Sequence, residues 1–88
     1  MVRMALNEQE RMRGVLLGAA LRRARGTKPV REIAAAAGVA EETLRKIERG
    51  AVPTPALFTV AAITQVLGLT LDDLVHEVGR AGQAAAVA

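Results

Sequence analysis

Residues 41–49 read EETLRKIER, and five charged side chains recur there at helical spacing. Glu41 and Arg45 stand four apart, Glu42 and Lys46 likewise, with Arg49 one turn beyond Arg45. At about 100° per residue all five fall on one side of a helix, and Leu44 and Ile47 fall on the other. The chemistry open to that face is non-covalent. Arginine offers paired N–H donors that match the acceptor edge of guanine or a phosphate, and glutamate accepts from the amino group of cytosine. The plainer role of two carboxylates at a helix start is to offset its positive end and to pair with Arg45 and Lys46. Each such effect contributes a few tenths of a kcal/mol. A third role is also open, in which the carboxylates lower non-specific affinity so that binding requires the right site.

Covalent and metal chemistry have little material. The 88 residues hold no cysteine and a single histidine, His76, so thiolate zinc sites and cysteine nucleophiles are excluded. His76 reads as a surface or packing residue, and Asp72 and Asp73 as residues of a helix start. Catalysis needs a nucleophile with a base, or paired acids, and neither pattern is legible. No enzyme, metal, cofactor or small-molecule site is expected. No apolar run approaches the roughly 20 residues that span a bilayer, and Arg3 is not followed by the apolar stretch of a secretory leader. A cytoplasmic protein without a membrane partner is expected.

Charge is unevenly placed. Residues 1–31 carry eight basic groups against two acidic ones, whereas residues 51–88 carry one against three. A basic front and a mildly acidic back suit a protein with one side turned to a polyanion.

The elements that must carry these groups are helical throughout. Residues 1–6 read as a frayed start. Asn7 and Glu10 fit a capping box, opening a long first helix to Arg25 with Leu17, Leu21 and Ala24 inward. Gly14 and Gly18 weaken that helix by about 1 kcal/mol each if exposed. Pro29 fits the first position of a second helix running to Ala37, and Gly38 fits the left-handed residue after it. A third helix covers residues 40–49, with Ala40 where a side-chain cap is usual. Thr54 and Pro55 signal a fourth, apolar nearly all round with Phe58 in the core, ending at Leu67. Thr70 and Asp73 open a fifth with Leu71, Leu74, Val75 and Val78 inward. Residues 7–78 form one domain containing a helix-turn-helix at 30–49, and residues 79–88, GRAGQAAAVA, read as a flexible tail.

LGAALRRARG, EIAAAAGVAEETLRKIERG and LGLTLDDLV, taken in order, resemble the Cro and phage-repressor (XRE-type) helix-turn-helix domains of bacterial transcription regulators. Ala34, Gly38, Val39, Leu44 and Ile47 match the family's packing positions over about two thirds of the chain. The resemblance implies an all-α, five-helix fold, double-stranded DNA as partner, and a homodimer on a partly palindromic site. It also implies a pair between Glu48 and Arg22, a phosphate contact for Arg49, and base reading by Glu41, Glu42, Arg45 and Lys46.

The sequence departs from the family in three places. The segment before the second helix is one residue longer, and Val30 replaces the family's glutamine, whose contact is either lost or replaced by Lys28 or Arg31 on phosphate. Ala40 lacks the usual cap, and Glu41 and Glu42 open the helix that would meet DNA. A sequence-specific regulator, acting as a repressor and a dimer through residues 1–16 or the fifth helix, is the leading expectation. The alternatives are a protein-interaction adaptor or an antitoxin-type partner that keeps the fold.

Overall fold

A computed structural model describes residues 7–87. The expected fraying of residues 1–6 and the final residue of the expected tail lie outside them. Five helices follow in order: α1 (Glu8–Arg25), α2 (Val30–Ala37), α3 (Glu41–Glu48), α4 (Leu57–Leu67) and α5 (Leu71–Val87). No strand occurs among the described residues.

The capping box at the start of α1 is formed as its sequence demands. The Glu10 backbone N–H donates to Asn7 Oδ1 at 2.8 Å, and the Asn7 N–H donates to Glu10 Oε1 at 3.2 Å. Thr70 and Asp73 exchange the equivalent pair at α5, at 3.0 and 3.4 Å. Pro29 is the N-cap of α2, so the helix begins at Val30, one residue later than expected, and the Pro29 carbonyl accepts from the N–H groups of Glu32 and Ile33. Gly38 then takes φ 73°, a left-handed conformation that glycine adopts without steric penalty. The Val39 N–H closes back on the Ala34 carbonyl at 3.0 Å, which sharpens the turn into α3.

The core is built from one inward face per helix. Leu21, Leu44, Ile47 and Ile63 are the largest fully buried side chains, joined by Ala20, Ile33, Ala34, Val60 and Leu74. Fully burying a leucine or isoleucine contributes about 1.5–3 kcal/mol, so these four anchor the arrangement. α1 lies against α3 and α5, and α2 lies against α3 and α4.

Expectations about the back half are corrected at several points. α4 begins at Leu57, two residues later than the expected start at Pro55, with an extended Ala56 as its uncapped start. Phe58 is 82% exposed, not core. Val60, Ile63 and Thr64 turn inward, and helical periodicity puts Phe58 on the opposite side. In α5 Leu74 is buried, but Val75, expected inward, is 67% exposed.

α5 also continues through Gly79 and Gly82 to Val87, where the sequence suggested a flexible tail from residue 79. Alanine is the strongest helix former, and Gly82 lies so close to α1 that a β-carbon there would sit 3.6 Å from Leu16 Cδ1. Between α1, α4 and α5 runs an open apolar groove whose walls include Met12, Leu16, Leu57, Val75 and Val78. No single helix among the described residues is long and apolar enough to cross a membrane.

Candidate nucleic-acid interface

The placement of α3 begins with what lies beneath it. Leu44 and Ile47 are 1% and 2% exposed, and they fix which side of the eight-residue helix faces the core. Ala40 supplies no side-chain cap, as its sequence implies. At the far end Gly50 takes φ 76°, and the Ala51 N–H donates to the Lys46 carbonyl at 3.0 Å. The helix is therefore closed off sharply by a left-handed glycine.

α1 meets this end of α3 at backbone distance. A β-carbon on Gly18 would lie 2.8 Å from the Glu48 carbonyl oxygen, and closer still to that of Ile47. One on Gly14 would lie 2.6 Å from Pro53 Cα. Both glycines are buried, so their cost to the helix is offset by the approach they permit. Sequence reading missed this role. The signal was there in their spacing of four, which puts them on the same face as Leu21.

Glu48 pairs with Arg25 and not with Arg22. Arg25 donates twice to the Glu48 carboxylate, from Nε at 2.7 Å and Nη2 at 2.8 Å, and from Nη1 to the Lys28 carbonyl at 2.7 Å. Arg22 is exposed one turn earlier. The Lys28 carbonyl in the α1–α2 connection also accepts from Arg25 Nη1, which helps hold this guanidinium of the last α1 turn toward Glu48. The two side chains of the pair are only 15% and 8% exposed. The hydrogen bonds to Glu48 raise the Arg25 pKa above its ordinary value, with burial opposing and the carboxylate's charge adding. Arg25 thus ties α1 to α3 and braces the turn before α2. Arg23 makes a separate exposed pair with Glu77, joining α1 to α5.

Opposite this buried side, the expected outward residues are together and solvent-facing. Arg45 Nη2 donates to Glu41 Oε2, a pair four residues apart on α3. Glu42 lies nearest Arg49, at 3.9 Å, and not Lys46 as the spacing alone suggested. Lys46 is exposed, as are Lys28 in the α1–α2 connection and Arg31 in the first turn of α2. None of these three makes an ion pair among the described residues. His76 is exposed beside Asp72, with its Nδ1 at 3.2 Å from the Asp72 carbonyl oxygen. No group of three or more potential metal ligands occurs among the described residues.

The arrangement is a helix, a glycine turn and a second helix whose outer face is charged and whose inner face is locked to the domain. Such a face can meet a grooved, charged surface without disturbing the core. Among curated proteins none matches the chain. A family model described as a helix-turn-helix domain matches residues 16–78, from the middle of α1 into α5. This is consistent with the resemblance to Cro and phage-repressor domains, and the chain belongs to the helix-turn-helix domain family.

Proposed function

We propose that the protein is a sequence-specific DNA-binding transcription regulator that lays α3 in the major groove. One observation carries this reading: Arg45, Lys46 and Arg49 are exposed along α3 while Leu44 and Ile47 on its other side are buried. In a helix-turn-helix the second helix enters the groove with its N-terminal residues toward base edges. Glu41, Glu42, Arg45 and Lys46 then face bases, and Arg45 carries the main reading, since arginine to guanine is the commonest specific contact. Arg49, Lys28 and Arg31 hold phosphates.

The regulator acts as a repressor and as a homodimer, with half-sites about 34 Å apart. Exposed Met12, Leu57 and Val75 on the α1–α4–α5 groove support a second copy on that face, away from the outward side of α3. Selection from a random DNA pool tests the reading directly. A defined motif is expected, and each phosphate neutralised adds about −0.9 to the log–log salt slope, or about −3 per copy for these three cations. Arg45→Ala is expected to flatten the motif. Selection without enrichment refutes DNA binding, and sedimentation of the Val75→Asp variant as a mixture unchanged from the parent refutes the dimer surface.

A further inference from the structure

Glu41 and Arg45 form a single hydrogen-bonding edge. Arginine carries five N–H donors, and Glu41 engages Arg45 through one of its terminal nitrogens, so donors are left to point outward. The carboxylate accepts at Oε2 and keeps its other oxygen as an acceptor. Both side chains are about half exposed, at 40% and 49%, so the edge is open to solvent while each partner restricts the other's rotation. The edge therefore presents two donors beside one acceptor.

In the major groove a G·C pair presents the reverse pattern: acceptors at guanine N7 and O6, then a donor at cytosine N4. An A·T pair presents acceptor, donor, acceptor, which sets the guanidinium against an amino group. We infer that the Glu41–Arg45 pair is a composite reader of a G·C step, with Arg45 on guanine and Glu41 on a cytosine amino group of the same or the adjoining pair. This rests on the DNA-binding reading above and assigns Glu41 a specificity-determining contact. Glu42 differs. At 3.9 Å from Arg49, with side chains 63% and 58% exposed, it makes no hydrogen bond and fixes no edge.

Selected-site enrichment of the full chain and of the Glu41→Gln and Glu42→Gln variants separates the possibilities, with thermal unfolding of each variant alongside. The parent is expected to enrich a guanine with a cytosine on its own pair or the next. Glu41→Gln is expected to keep the guanine and lose that cytosine preference by about 5- to 100-fold, or exchange it for adenine, which an amide reads bidentately. Glu42→Gln, which leaves the Glu41–Arg45 edge intact, is expected to keep the G·C preference at this step, any change in its motif falling at another base. An unchanged motif in Glu41→Gln overturns the inference, as does a uniform loss of affinity with a lowered melting temperature, which marks a residue that only stabilises the helix start. A parent motif without G·C at this position also overturns it while sparing DNA binding. A parent that enriches nothing refutes both.

Discussion

Replacing Gly18 by alanine is expected to destabilise the protein although alanine is the better helix former. The added methyl has nowhere to go. It would stand 2.8 Å from the Glu48 carbonyl oxygen and nearer that of Ile47, and both are backbone atoms that cannot rotate aside. Forcing a methyl into a packed site costs about 1–3 kcal/mol. Here the upper part of that range applies, because α3 as a whole must move off α1. Alanine returns about 1 kcal/mol of helix propensity, leaving a net loss of about 1–2 kcal/mol. For a domain of this size that lowers the melting temperature by roughly 4–16 °C. Gly79→Ala supplies the opposite sign. Gly79 is also inside a helix, but nothing lies within 4 Å of its β-carbon position, so a gain of about 0.5–1 kcal/mol is expected. Thermal unfolding by circular dichroism at matched concentration reads both variants. If Gly18→Ala melts at or above the parent while Gly79→Ala rises as expected, the close approach of α1 and α3 is refuted.

Arg25→Ala is expected to cost about 1.5–3 kcal/mol in denaturant unfolding, since it strips charged hydrogen bonds from a largely buried Glu48, while Arg22→Ala stays within about 0.5 kcal/mol. Equal effects would restore the Arg22 pairing. Arg25→Lys is expected to rescue only part of that loss, because an ammonium cannot make the two-pronged contact. The raised Arg25 pKa means its contribution is fully present below the ordinary arginine value of the unfolded chain and is lost only as pH rises through the still higher folded value. Titrating unfolding stability from about pH 7 to pH 10 should therefore show no loss from the arginine side. Asn7→Ala removes the capping box and is expected to cost about 1 kcal/mol, read as faster amide exchange in the first turn of α1. The exposed Arg23–Glu77 pair is expected to contribute under about 1 kcal/mol, and its double-mutant coupling should shrink as salt rises.

The helices and the turn at Gly38 were legible because their signals are local: capping pairs, left-handed glycines and apolar spacing along one element. The outward face of α3 was legible for the same reason, since Leu44 and Ile47 fix its orientation by periodicity. What escaped depends on two elements meeting. Gly14 and Gly18 looked like weak points because their value lies in the α3 backbone opposite them. Arg22 and Arg25 share a helix face, and only the path of the chain through Lys28 decides which one reaches Glu48. Phe58 and Val75 are apolar without being inward, since a helix rich in large apolar side chains can bury only the arc its neighbours cover.

The way α3 is held has a bearing on how such a protein could be altered. Its fold uses Leu44, Ile47, Glu48 and the glycine turns at either end, and leaves Glu41, Glu42, Arg45, Lys46 and Arg49 outside the core. Those five positions form a cassette that can be rewritten with little effect on folding. Libraries randomised there should yield mostly folded members, and retargeting would then be a search over surface chemistry on a scaffold that stays the same.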